Sequence, residues 1–140
     1  MTDEGPGSVP GISAAAARRG PGGPLAEVPL LDVRDLQVSF RLEHSTIYAV
    51  QGLSLQVRAG ERLGVVGESG SGKSVSALSV MQMVPSPGRV SGGEVVFEGQ
   101  DLLRLSPAAM RSVRGGQIGM IPQNPLTSLN PVMTIGSHFQ

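Results

Sequence analysis

The stretch Gly67-Glu-Ser-Gly-Ser-Gly-Lys-Ser74 decides the fold class of this chain. Its spacing is G-x-x-x-x-G-K-S, in which glycines let the backbone approach a bulky anion and successive N–H groups form a concave nest. The apolar run at 63–66 precedes it and predicts a strand that is buried on both faces. Val75, Leu78 and Met81 follow at the spacing of one helix face. A strand, a glycine loop and a helix in this order predict a phosphate-binding loop in an α/β protein.

The residue types in this loop suit the phosphates of a nucleoside triphosphate, and the loop alone fits small GTPases, kinases, helicases and transporter ATPases. Lys73 would place a compact cation against the β- and γ-phosphates, and Ser74 would offer a hydroxyl to a Mg²⁺ ion that bridges them. Lys73 is the only lysine among eleven basic residues, so the chain uses the point-charge ammonium at this one position. The predicted nucleotide-binding residues of the loop are Gly67, Glu68, Ser69, Gly70, Ser71, Gly72, Lys73, Ser74 and Val75.

Composition excludes several classes of protein. The formal net charge is zero, without the basic excess of a nucleic-acid binder. There are no cysteines, which excludes disulfides and thiolate metal sites, and the two histidines, His44 and His138, are far apart in sequence. No apolar run approaches the roughly 18 residues of a membrane span. These features favour a cytosolic protein that binds no nucleic acid and contacts a membrane only through partners.

Local patterns outline the other elements. Residues 1–29 are rich in Gly, Pro, Ala and Ser and predict a disordered leader. Apolar alternation at 36–40 and 53–57 predicts two strands on either side of a loop near 43–46. We expect a loop at 86–93, strands at 94–97 and 118–121, and a helix that begins at Ser106-Pro107 and ends near Gly115. Pro85 and Pro87 are expected to end the helix that follows the phosphate loop.

The opening strands resemble a known family. The segments Leu31-Asp-Val-Arg-Asp-Leu-Gln-Val-Ser-Phe40 and Tyr48-Ala-Val-Gln-Gly-Leu-Ser-Leu-Gln-Val57, followed by Ala59-Gly-Glu61, are similar to the antiparallel strands that open an ABC transporter ATPase. In that family an aromatic side chain near the end of the first strand stacks on adenine. The resemblance implies this role for Phe40, with Tyr48 as the alternative and with Phe40 as an ordinary core residue as a second alternative.

The segment Ile118-Gly-Met-Ile-Pro-Gln123 is similar to the strand and glutamine of the family's Q-loop, although Pro122 stands where the family usually has Phe. The resemblance implies that Gln123 is a catalytic residue that reaches Mg²⁺ and the attacking water. The continuation at 124–136 resembles importers of dipeptides, oligopeptides and nickel. Ser91-Gly-Gly-Glu94 resembles the core of the family's signature sequence, but it precedes the Q-loop and is predicted to be a turn.

The resemblance implies an α/β fold of the P-loop NTPases, with a RecA-like core and the antiparallel β-subdomain of ABC ATPases. Residues 30–125 would form an incomplete nucleotide-binding core, and 126–140 would continue the Q-loop and start the helical subdomain, which is cut short. The implied function is an ATP-binding subunit that couples ATP hydrolysis to the import of peptides or nickel. Its implied partners are membrane subunits and a second ATPase subunit, the same or different, at the cytoplasmic side of the cell membrane.

The distribution of carboxylates leaves two alternatives open. Asp101 is the last Asp or Glu in the sequence, whereas ATP hydrolysis needs downstream acids to hold Mg²⁺ and polarise water. We therefore expect a fragment that lacks the Walker B and signature segments and does not hydrolyse ATP alone. The chain could then be a nucleotide-binding module without turnover. A non-transport ABC protein is the other alternative.

Overall fold

The computed structural model describes residues 13–15, 28–123 and 134–138. Expectations for residues 1–12, 16–27, 124–133 and 139–140 lie outside the described residues. The strands are β1 (Ser13–Ala15), β2 (Leu31–Arg41), β3 (Thr46–Val57), β4 (Gly64–Val66), β5 (Gly88–Phe97) and β6 (Gln100–Asp101). The helices are α1 (Lys73–Val80), α2 (Pro107–Val113) and two 3-10 turns, Leu102–Arg104 and Ile135–His138.

The larger sheet has four antiparallel strands in the order β3-β2-β5-β6. The hairpin of β2 and β3 around residues 42–45 confirms the two strands predicted from apolar alternation. The register of β2 shifts at Asp35, which has a left-handed φ of 46°. On the neighbouring strand Gly93 has φ 93°, and a Cβ there would lie 2.5 Å from the carbonyl oxygen of Asp35. A bulge at this point therefore requires glycine on β5.

The core lies between this sheet and α2. Helix α2 begins as predicted, because the Ser106 hydroxyl accepts a hydrogen bond from the N–H of Ala109 at 3.2 Å. Gly115 follows its end with φ 78°, as expected for a residue after a helix. The buried apolar residues of the core are Val33, Leu36, Val38, Val50, Leu53, Val95, Phe97, Leu102, Met110 and Val113.

The prediction of a loop at 86–93 is wrong from Gly88 onward. Strand β5 starts there, and its first half pairs with β2, with Val90 opposite Val38. The predicted turn at 91–94 is also wrong, since these residues lie inside β5. Glycine and serine made the segment read as a loop, but pairing with a buried neighbouring strand outweighed their low strand propensity.

Two other predicted strands also differ from the structure. Strand β4 forms, but Gly64 and Val66 are exposed, because its described partner is β1 alone, in a two-stranded sheet. Strand β1 lies within the segment predicted to be a disordered leader, so that prediction is wrong at Ser13–Ala15. At 118–121 there is only an isolated bridge between Ile118 and Arg114, and the Ile121 side chain is 91% exposed. A short apolar run does not by itself provide a partner strand.

Helix α1 ends before the prolines that were expected to end it. The N–H of Gln82 donates to the carbonyl of Ser79 at 3.0 Å, and the N–H of Met83 donates to that of Leu78 at 2.8 Å. This pair of bonds is a Schellman motif, in which glycine usually occupies the left-handed position. Here Gln82 occupies it with φ 49°, and its side-chain amide donates to the carbonyl of Leu102. None of the helices among the described residues is long and apolar enough to cross a membrane.

Candidate functional site

The loop between β4 and α1 has the backbone geometry of an anion nest. Gly70 and Gly72 adopt left-handed φ values of 82° and 93°, and the N–H of Ser71 closes a turn onto the carbonyl of Glu68 at 3.2 Å. Helix α1 then begins at Lys73 with no side chain capping its first turn. The free N–H groups at a helix start carry partial positive charge, so this end of α1 is suited to hold phosphate.

The ammonium group of Lys73 lies over this loop. Its Nζ donates to the carbonyl oxygens of Gly67 and Glu68, both at 2.6 Å, and to the Ser71 hydroxyl at 3.2 Å. These acceptors are uncharged, and no carboxylate among residues 28–123 forms a salt bridge with Lys73. The site therefore keeps one uncompensated positive charge in a defined place, as a polyphosphate requires.

The loop is seated directly on β3. A Cβ at Gly72 would lie 2.4 Å from the carbonyl oxygen of Ala49 and 3.2 Å from a methyl group of Val50. Gly67 is confined from the other side, since a Cβ there would lie 2.6 Å from the Ser71 hydroxyl. The contact with β3 thus fixes the position of Gly72, where the phosphate loop ends and α1 begins.

The two candidate aromatic residues have different surroundings. The Phe40 ring is half-buried against the core and lies over Gly88, where a Cβ would be 2.5 Å from its Cε1 atom. The Tyr48 side chain is 57% exposed. Tyr48 directly precedes Ala49, whose carbonyl contacts the phosphate loop.

The remaining predicted site residues occupy different positions. Ser74 is exposed in the first turn of α1, and Val75 packs against the core. Glu68 and Ser69 are exposed in the loop. Gln123 is exposed at the end of the continuous described segment, and no hydrogen bond between described residues joins it to the loop. The described hydrogen bonds of the loop therefore join residues within 67–76 and do not reach Gln123.

Two contributors were missed by sequence reasoning. Ala49 acts through its carbonyl, which any residue could provide, so no pattern marks it. Arg114 binds the end of α1 from more than 30 residues away in sequence. Neither contact leaves a local signal that could have been found.

Other features of the described residues lie elsewhere. A cavity of about 460 Å³ is bounded by Gln82, Leu103 and the first half of β5, and the phosphate loop does not line it. We place the candidate site at the loop, because the charge and the open N–H groups are there. Within the described ranges, no three His, Asp or Glu side chains are grouped as metal ligands. Asp32 raises the pKa of Arg34 on β2 by hydrogen bonding and charge, and Glu94 adds to the effect.

Comparison with known proteins gives consistent matches. A family model described as ABC transporter matches residues 50–138. The chain is 53% identical over 108 residues to a probable peptide ABC transporter ATP-binding protein of Sinorhizobium fredii, with 76% of this chain and 32% of the relative covered. It is 48% identical over 111 residues to an oligopeptide transport ATP-binding protein of Bacillus subtilis (79% and 31% covered). A dipeptide transport ATP-binding protein of Haemophilus influenzae is 50% identical over 107 residues (76% and 32%).

The chain spans about a third of the length of these curated relatives. The family match confirms the α/β class of P-loop NTPases that the loop predicted. It also agrees with the observed order of antiparallel strands, glycine loop and helix. The chain belongs to the ABC transporter family.

Proposed function

We propose that this chain is the nucleotide-binding part of an ATP-binding subunit that drives the import of peptides. The observation that carries the proposal is Lys73, held by the Gly67 and Glu68 carbonyls at 2.6 Å above a loop with left-handed glycines. The three relatives named above are peptide, oligopeptide and dipeptide transport proteins, which favours peptides over nickel as the transported substrate.

Different groups of the site would bind the phosphates and the magnesium ion of Mg-ATP. Backbone N–H groups of 68–74 and the start of α1 would hold the phosphate oxygens, and Lys73 would neutralise the β- and γ-phosphates. Magnesium is usually held by phosphates and only one or two protein oxygens, and the exposed Ser74 hydroxyl fits that requirement. Gln123 would supply the second oxygen and orient the attacking water. The bound ion would neutralise charge that develops on the phosphates.

Tyr48 is better placed than Phe40 to stack on the base. An exposed ring can offer a face to adenine, whereas the Phe40 ring already packs over Gly88. The Ala49 carbonyl contacts Gly72 of the loop that would hold the phosphates, and Tyr48 is the residue directly before Ala49. Stacking of this kind is worth roughly 1–3 kcal/mol per base.

The proposal extends to partners and place. Membrane subunits and a second ATPase subunit, identical or different, would complete the transporter, with this chain at the cytoplasmic side of the cell membrane. A second candidate function is nucleotide binding without turnover. It rests on the same loop, whose Lys73 and left-handed glycines would hold nucleotide whether or not it is hydrolysed.

Thermal unfolding with and without Mg-ATP tests the proposal. Ligand at 100 times its dissociation constant stabilises a fold by roughly 2.7 kcal/mol, enough to raise Tm by several degrees. We expect that shift in the wild type and not in Lys73→Ala. Arg89→Ala is the matched control, because Arg89 is an exposed cation outside the loop and should keep the full shift.

Each negative result has a distinct meaning. An equal shift in the wild type and in Lys73→Ala would show that ATP binds elsewhere and would refute the proposed site. A Lys73-dependent shift without phosphate release, in the full-length protein as well, would favour the second candidate function over the first.

A further inference from the structure

Arg114 binds the carboxyl end of the phosphate-loop helix. Its Nε donates to the Met81 carbonyl at 2.7 Å, and its Nη2 donates to the Gln82 carbonyl at 2.8 Å. Both acceptors lie at the end of α1, where unpaired carbonyls carry partial negative charge and favour a cation. The two donors are adjacent nitrogens of one planar guanidinium, so the contact fixes direction as well as distance.

Arg114 also begins the segment that leads to Gln123. It is the residue after α2, and its backbone forms a bridge with Ile118. The N–H of Gly115 donates to the Ile118 carbonyl at 2.9 Å, and the N–H of Ile118 donates to the Val113 carbonyl at 3.0 Å. Residues 113–118 thus form a hydrogen-bonded turn, and the Arg114 side chain extends from this turn to α1.

The chain runs on from this turn through 119–122 to Gln123. Ile118 packs against the core, but within 119–123 no hydrogen bond to another described residue is found. Met120 and Ile121 are exposed. The turn therefore sets where the chain toward Gln123 begins, and Arg114 joins this turn to the phosphate-loop helix.

We propose that Arg114 is a positioning residue, which holds the Gln123 segment at a fixed offset from the helix that carries Lys73. Arg114 does not touch nucleotide; it acts through the main chain of 114–118. The inference rests on the proposed function, because it assigns Arg114 a part in hydrolysis by the same site. The phosphates would be held by the loop at the other end of α1.

A double-mutant cycle on ATP hydrolysis by the full-length protein tests this role. Arg114→Met keeps the apolar stem and removes the donors, and Arg111→Met is the matched control on the exposed face of α2. We expect Arg114→Met to lower kcat by about tenfold or more with KM for ATP within about twofold, because small misplacements of reacting groups are costly. Gln123→Ala combined with Arg114→Met should have the kcat of Gln123→Ala alone.

Three outcomes would overturn the inference: an unchanged kcat in Arg114→Met, effects of the two substitutions that multiply, or an equal loss in Arg111→Met. If Arg114→Met does not fold, Arg114→Lys keeps the charge without the fork and should show the same pattern more weakly. A wild type without Lys73-dependent hydrolysis would overturn the hydrolytic function and this role together, whereas a failed cycle in an active wild type would overturn this role alone.

Discussion

At the scale of single residues, two glycines of the phosphate loop make a matched pair. Both have left-handed φ, but a Cβ at Gly70 meets nothing within 4 Å, whereas one at Gly72 meets the Ala49 carbonyl at 2.4 Å. We expect Gly70→Ala to lower the free energy of unfolding by about 1–2 kcal/mol from backbone strain alone. Gly72→Ala should cost about 1–3 kcal/mol more, because the added methyl group overpacks the contact with β3.

Urea denaturation of both variants measures the difference. Equal losses would show that the loop does not rest on β3. Gly70→Ala should also keep part of the shift in Tm caused by Mg-ATP, because the contact between Gly72 and β3 is intact. Gly72→Ala should lose that shift.

At the scale of elements, the end of α1 can be dissected with Gln82. Its left-handed φ of 49° costs a non-glycine residue about 1–2 kcal/mol, and its amide satisfies the carbonyl of the buried Leu102. Gln82→Ala and Gln82→Gly both remove the amide, but only glycine removes the strain. We expect Gln82→Gly to be the more stable of the two by about 1 kcal/mol in chemical denaturation. The opposite order would mean that the Schellman ending is absent.

The elements also show what local sequence can predict. The ends of α2 were predicted because Ser106-Pro107 and Gly115 act on their own backbone. The start of β5 was not, because Gly88–Gly93 becomes a strand only through pairing with β2. The strand predicted at 118–121 is absent for the converse reason. Its apolar residues suit a strand, but the described chain provides only a bridge at Ile118.

At the scale of the whole molecule, stability should depend on the layer between α2 and the four-stranded sheet. Met110 is fully buried there, whereas the Met120 side chain is 38% exposed. Met110→Ala should lower the free energy of unfolding by about 2–5 kcal/mol, and Met120→Ala should stay within about 0.5 kcal/mol. Denaturant midpoints of the two variants measure this, and similar losses would contradict the assigned core.

Part of the candidate site could be predicted from local sequence, and part depends on contacts between residues that are distant in sequence. The loop at 67–74 was predicted because its eight consecutive residues carry its chemistry. The Ala49 carbonyl and the Arg114 fork join residues 23 or more positions apart, and no spacing rule specifies such pairs. Phe40 was the favoured aromatic from its position on β2, whereas the packing of Phe40 over Gly88 and the exposure of Tyr48 depend on the tertiary fold.

The contact between Gly72 and β3 has a consequence for how such a protein can change over generations. One side of the joint is a main-chain carbonyl, which every amino acid supplies, so substitutions at Ala49 leave that oxygen in place. The other side tolerates only glycine. The hairpin can therefore exchange its side chains near Ala49 while the loop stays in place on β3. Selection on this contact should therefore keep glycine at position 72 and leave position 49 free to vary.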